Sequence, residues 1–184
     1  MAKSAAIFLD RDGTLVEDVG FISNPSQVMF FPFTVEALKM LQPHFRLFIV
    51  TNQSGIAKGN VTVDEVERVN AFIEEHLRNQ GVTIEQTYYC PHNTEDGCSC
   101  KKPSPYFINK AASLFDIDLS QSFMVGDHPS DVEFGRNAGV KSVYLLSGHG
   151  QKHREELKGD ETVLGNILDA SHFILSTVKN EKHE

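Results

Sequence analysis

Two carboxylates two residues apart close an apolar run near the start of the chain: Asp10 and Asp12 in FLDRDGT, residues 8–14. At an extended strand end, residues two apart point to the same side, so these carboxylates converge on one point. Carboxylates that close repel, and both stay ionised only with a cation between or beside them. Gly13 lets the backbone turn away sharply, which exposes a main-chain carbonyl as a further oxygen ligand. Asp127 closes another apolar run, also directly after a glycine, and offers a third oxygen. Oxygen ligands with few carboxylates and several waters suit Mg²⁺, above all where a substrate phosphate completes the shell. The plainer alternative is a turn opened by Asp10, with Asp12 making an Asx-type hydrogen bond ahead of Gly13.

Three further clusters carry chemistry. In VTNQSG, residues 50–55, the Thr51 hydroxyl, the Asn52 and Gln53 amides, Ser54 and the loop N–H groups offer donors for phosphate oxygens. Lys102 brings positive charge from another loop. The stretch CPHNTEDGCSC places Cys90, His92, Cys98 and Cys100 in one short loop, residues 90–100. Three sulfurs and an imidazole fill a tetrahedral Zn²⁺ site and leave no position for substrate, so such a site is structural. Free thiols, or a strained Cys98–Cys100 disulfide, are the alternatives. All 3 cysteines of the chain lie in this loop, unlike the spread, even-numbered set of a secreted disulfide scaffold.

The elements that must hold these groups are legible as an alternation. Continuous apolar runs at 5–10, 46–52, 86–89, 122–127 and 141–146 read as parallel strands buried on both faces. Helical patterns lie between them, the clearest having Thr62 as N-cap, Glu65 completing a capping box and Gly81 as stop. The alternation predicts an α/β fold, a doubly wound Rossmann-like parallel sheet. In such sheets ligands bind beyond the carboxyl ends of the strands, where all four polar clusters fall. One domain over residues 1–184 is expected, ending in a helix and charged tail at 164–184.

With 40% hydrophobic and 23% charged residues, the composition is that of a globular chain. The net charge of −8 argues against nucleic acid or an anionic membrane as partner, since both demand a basic face. The N-terminal apolar run is too short for a signal peptide, and no stretch is long enough to span a bilayer. A cytoplasmic monomer acting on a small anionic molecule is expected.

FLDRDGT, VTNQSG, the lysine of CKKP and GDHPSD resemble, in order and in placement at strand ends, the four motifs of the haloacid dehalogenase superfamily of phosphatases. The resemblance spans roughly residues 5–146. It implies that Asp10 is a nucleophile forming an aspartyl-phosphate, and that Asp12 protonates the leaving group and then activates water. It further implies that Thr51 and Lys102 hold the phosphoryl oxygens. Mg²⁺ would sit on Asp10, the Asp12 carbonyl and Asp127, with Asp131 supporting that loop from behind. The cysteine loop is similar to that of the subgroup holding heptose-bisphosphate and histidinol-phosphate phosphatases, which has no large cap domain.

Within that subgroup, VTNQSGIAKG, the YYCPH run and the loop Asp18, Val19, Gly20, Phe21 look like the heptose enzymes. The five residues between His92 and Cys98 are closer to the histidinol-phosphate loop. A phosphorylated sugar, foremost heptose 1,7-bisphosphate cleaved at its 7-phosphate, is the implied substrate. Histidinol phosphate, or a silent zinc-containing interaction module, remains open. Three departures bear on substrate binding: Lys101 stands where the heptose pattern has Arg, His128 where it has Lys, and Val19 where it has His. Lys cannot reproduce a bidentate guanidinium grip, and His128 is mostly neutral near pH 7 unless phosphate raises its pKa.

Overall fold

The computed structural model describes residues 3–181. Six strands form one parallel sheet: β1 (Ala6–Leu9), β2 (Arg46–Asn52), β3 (Gln86–Cys90), β4 (Phe123–Gly126), β5 (Lys141–Leu145) and β6 (Thr162–Leu164), ordered β3-β2-β1-β4-β5-β6. The chain winds outward from β1 to β3, then returns to pair β4 on the other side of β1. That reversal makes the carboxyl ends of β1 and β4 a crevice.

Alternation along each strand assigns the two layers. Ile7 and Leu9 face one side, together with Leu47, Ile49, Phe123 and Val125, and are covered by α1 (Thr34–Leu41), α2 (Val63–Asn79) and α6 (Ile167–Glu181). Ala6 and Phe8 face the other side with Phe48, Val50 and Met124, beneath α3 (Tyr106–Phe115) and α4 (Pro129–Ala138). All four β1 side chains are fully buried, Ile7, Phe8 and Leu9 each contributing about 1.5–3 kcal/mol. β1 is thus anchored on both faces just before it delivers Asp10.

Helix α2 starts where its sequence says it should. Thr62 accepts from Glu65 N, and Glu65 Oε2 accepts from Thr62 N, a reciprocal capping box. Helix α4 is capped by a residue read only as a ligand-binding candidate. His128 Nδ1 accepts from Ser130 N, while Asp131 Oδ2 accepts from His128 N. β6 is an addition to the five strands read from the sequence. The short α5 (Gly150–His153) follows the loop after β5. The zinc-type loop occupies the β3–α3 connection, and no cap-sized insertion occurs among the described residues. The final three residues of the charged tail lie outside them.

Candidate active site

The exits of β1, β2 and β4 open into a cavity of about 540 Å³. Asp10 leaves β1 with its backbone N–H donating to Val125 O at 2.9 Å, which ties it to β4. Its Oδ1 lies 2.6 Å from Lys102 Nζ, which also donates to Val50 O at 2.9 Å and pairs with Asp131 Oδ1 at 2.6 Å. Burial works against the charge on Lys102, but Asp10 and Asp131 together outweigh it and push its pKa up. Burial likewise raises the Asp10 carboxyl to about 6, Lys102 opposing and Asp131 assisting the shift. At neutral pH Asp10 is ionised, though held there at a cost to the fold.

Asp12 meets different neighbours, and they answer why an arginine stands between the two acids. Arg11 is 1% exposed and folds back on its neighbour, NH2 donating to Asp12 Oδ2 at 2.8 Å and Nε at 3.1 Å. Its NH1 is fixed by Asn70 Oδ1 of α2 at 2.7 Å. Gln53 Nε2 donates to Asp12 Oδ2 at 2.9 Å and to Thr51 Oγ1 at 2.8 Å. Asp10 therefore has a lysine and a buried wall, whereas Asp12 has a guanidinium clamp and an amide. Two carboxylates two residues apart acquire separate orientations and separate electrostatics.

Asp10, Asp127 and Asp131 bring carboxylate oxygens within 4.8 Å of one another. Burial pushes the Asp127 carboxyl up to about 9, with Asp10 and Asp131 adding to the rise. Three buried carboxylates against one ammonium are undercompensated, and a divalent cation fits that deficit. The side chain of Asp12 is turned away into the Arg11 clamp, so any contribution to a cation has to come from its backbone. Asp131 is closer to the cluster than a supporting position behind Asp127 implied, although both of its oxygens already have partners.

A second group with metal geometry occupies the β3–α3 connection. The Cys90, His92, Cys98 and Cys100 ligand atoms are separated by 3.1–3.8 Å where they touch. Bonds of ~2.3 Å to sulfur and ~2.0 Å to nitrogen in a tetrahedron require edges of about 3.4–3.8 Å, so Zn²⁺ fits. No disulfide forms. The loop is coupled to the cavity wall: Gln53 N donates to Cys90 O and Ala57 N to Pro91 O. Asn52 then brackets the backbone of Lys102, its Oδ1 accepting from Lys102 N at 3.0 Å and its Nδ2 donating to Lys102 O at 3.3 Å. The loop thus aims Lys102 at Asp10.

Asp10, Asp12, Asp18, Gly20, Phe21, Thr51, Asn52, Gln53, Ser54, Lys102, Asp127, His128 and Asp131 all line the cavity. Two expected substrate-binding residues do not. Lys101 turns toward the zinc-type loop, its Nζ 3.4 Å from His92 O, because the backbone that presents Lys102 inward presents its neighbour outward. Val19 is 44% exposed at the tip of its loop, where Gly20 N donates to Asp18 Oδ1 and turns the chain. Asn52 reaches the cavity, yet its amide is spent on the Lys102 backbone.

The sequence reading missed the loop after β5, Ser147–Gly148–His149. Ser147 Oγ donates to Gly13 O at 2.7 Å and His149 N donates to Asp127 Oδ2 at 2.7 Å. His149 Nδ1 also lies 3.3 Å from Asp18 Oδ2. Lys58, Ser130 and Gly55 join the lining too. The signal for the missed loop was the tight SGHG spacing directly after an apolar strand, the same position in the fold that marked the other clusters.

No helix among the described residues is long and apolar enough to cross a membrane. The family model for HAD-hydrolase-like proteins matches residues 99–170. The D-glycero-beta-D-manno-heptose-1,7-bisphosphate 7-phosphatase of Pasteurella multocida is 36% identical, the match covering 92% of this chain and 96% of that one. The enzyme of the same name from Vibrio cholerae is 34% identical over 97% of this chain and 100% of its own. The crystal structure of D,D-heptose 1,7-bisphosphate phosphatase from B. bronchiseptica, complexed with magnesium and phosphate, superposes with a TM-score of 0.86 at 26% identity, covering 94% of this chain and 99% of that one. With paired carboxylates at the switch point of its sheet and relatives of this length and identity, the chain belongs to the haloacid dehalogenase superfamily of phosphatases, in the heptose-bisphosphate phosphatase family.

Proposed function

We propose that residues 1–184 work as one monomeric phosphatase domain that removes the 7-phosphate of D-glycero-D-manno-heptose 1,7-bisphosphate. The observation that carries this reading is the division of labour between Asp10 and Asp12, set beside relatives named for that reaction. Asp10, ionised against Lys102, attacks phosphorus; the bond from phosphorus to the ester oxygen breaks as the phosphoryl group passes to the carboxylate. Asp12 gives its proton to the departing alkoxide. In the second half it takes a proton from the water that attacks the aspartyl-phosphate, which restores both side chains and releases phosphate. Thr51 and Lys102 hold the phosphoryl oxygens, and the Arg11 clamp keeps Asp12 aligned with the leaving oxygen. Mg²⁺, when bound by Asp10, the Asp12 carbonyl and Asp127, supplies the positive charge that lets an anion meet an anion. Asp18, Gly20, Phe21, Ser54 and His128 shape the sugar end. The test is kcat/KM for phosphate release from heptose 1,7-bisphosphate against histidinol phosphate. The bisphosphate is expected to be preferred by at least about a hundredfold; preference for histidinol phosphate would overturn the reading.

The carboxylate cluster makes metal binding pH-dependent in a defined direction. The folded pKa of Asp127 is raised from 3.8 to about 9, so its stability contribution is fully present below about pH 4 and is lost as pH rises through 9. The metal-free protein should therefore melt at progressively lower temperature from pH 6 to pH 9. Mg²⁺ displaces the proton, so its stabilising upshift should grow over the same range. Melting curves with and without Mg²⁺ at each pH check this; an upshift independent of pH would refute the assignment.

We assign Zn²⁺ to Cys90, His92, Cys98 and Cys100 as a structural ion. Stripping it should free the loop that aims Lys102, lowering kcat/KM roughly 10- to 100-fold. Affinity for Mg²⁺, measured calorimetrically, should change little, because Asp127 and Asp131 are held from β4 and α4. Full activity in a preparation shown to be zinc-free would remove the aiming role.

A further inference from the structure

The cavity is short of positive charge. Five carboxylates line it, from Asp10, Asp12, Asp18, Asp127 and Asp131, against two lysines. Lys102 is paired with Asp10 and Asp131 at the end of the cavity where the phosphoryl group is transferred. One nitrogen of each lining imidazole is also engaged, His128 Nδ1 capping α4 through Ser130 N and His149 Nδ1 facing Asp18, and neither ring is a fixed cation like an ammonium. Lys101 is directed at the His92 carbonyl. Lys58 remains. It lines the cavity, is exposed, and is the one lysine of the lining with no ion pair among the described residues.

Its backbone is not a loose surface loop. Lys58 N donates to Ser54 O at 3.1 Å, Gly59 N to Ile56 O at 3.0 Å, and Asn60 N to Gly55 O at 2.8 Å. Ala57 N is tied to Pro91 O at the start of the zinc-type loop. The turn continues directly from Thr51–Ser54, so one segment carries phosphoryl-site groups at one end and a free ammonium at the other. We infer that Lys58 selects a bisphosphorylated substrate by holding the phosphate that is not hydrolysed. This rests on the sugar-phosphatase reading above and assigns its specificity to a residue outside the catalytic set. An ammonium acts on phosphate as a point charge and tolerates the variable geometry of a solvated rim.

The experiment measures kcat and KM for a sugar 1,7-bisphosphate and the matching 7-monophosphate, with wild type, Lys58→Met and Lys58→Arg. Wild type should prefer the bisphosphate. Lys58→Met should lose that preference roughly 10- to 100-fold, through KM rather than kcat, and Lys58→Arg should restore most of it. Added salt should narrow the wild-type preference toward that of Lys58→Met. A Lys58→Met protein that keeps the wild-type preference overturns the assignment and leaves the sugar-phosphatase reading intact. A wild type indifferent to the second phosphate overturns the assignment at its root. A wild type that cleaves neither sugar overturns the reading on which it rests.

Discussion

Asp10→Asn should abolish turnover, by at least about 10³-fold, and at the same time make the metal-free protein more stable above pH 7. The first effect follows from the loss of the attacking oxygen anion, which the exit of β1 presents 2.6 Å from Lys102 Nζ. The second follows from the sign of the Asp10 shift. Its folded pKa is about 6 against an ordinary 3.8, so the folded state favours the protonated carboxyl. That stability is fully present below about pH 4 and is lost as pH rises through 6. A neutral isostere escapes the loss. It also relieves Asp127, whose raised pKa owes part of its rise to Asp10. Lys102 keeps Asp131 and the Val50 carbonyl, so the substitution does not strand a buried ammonium. The melting temperature of Asp10→Asn should exceed wild type by a few degrees at pH 8 and converge with it near pH 4. Retained turnover would refute covalent catalysis by Asp10. A lower melting temperature at pH 8 would show that the Lys102 pair outweighs the burial of the charge.

The stability gain and the activity loss share one cause. A nucleophilic carboxylate has to be desolvated to attack, and desolvation is what the fold pays to keep it ionised. Arg11 shows the complementary arrangement. It is buried among protein groups, its charge answered by Asp12 and its NH1 held by Asn70, fifty-nine residues away in sequence.

That separation also explains which parts of the molecule were legible in the chain. Groups at strand ends could be read because the strand itself is a local signal: a run such as AIFL or RLFIV announces its own exit, and Asp10, Thr51 and Asp127 sit at such exits. The Thr62–Glu65 capping box and the Cys/His loop are likewise local in spacing. What failed were readings that depend on side-chain direction or on distant backbone. Lys101 and Lys102 are indistinguishable as letters; contacts with distant groups, the Asn52 bracket on the backbone and Asp10, Asp131 and the Val50 carbonyl on the ammonium, hold Lys102 inward. β6 is three half-buried residues that pair only with β5, too short for any periodicity. The Ser147–His149 loop acts through contacts with Gly13 and Asp127, 134 and 22 residues away, and nothing in its own spacing says where they are.

That loop supplies the second large effect. Gly148→Ala should lower kcat/KM at least about a hundredfold and weaken Mg²⁺ binding at least about tenfold. Gly148 has φ +54°, and a Cβ there would lie 2.3 Å from Asp127 Oδ2 and 2.3 Å from Gly13 Cα. The carboxylate can move, but the Gly13 Cα is backbone, so the overlap is relieved only by displacing the loop or the turn after β1. Either movement breaks a working contact: His149 N to Asp127 Oδ2, or Ser147 Oγ to Gly13 O. Gly13 cannot absorb the change with ease. It has φ +85° and is packed so closely on Asp127 that its own Cβ would fall 2.1 Å from Oδ2. The backbone strain of alanine at positive φ costs about 1 kcal/mol by itself, a few degrees of melting temperature in a chain of this size. Gly159→Ala isolates that component, since Gly159 has φ +95° and a Cβ there meets nothing within 4 Å. Both variants should lose similar stability from strain, with Gly148→Ala losing more, and only Gly148→Ala should lose activity and Mg²⁺ affinity measured by calorimetry. If the two behave alike, the loop after β5 does not position Asp127, and its contacts with the carboxylate are incidental to catalysis.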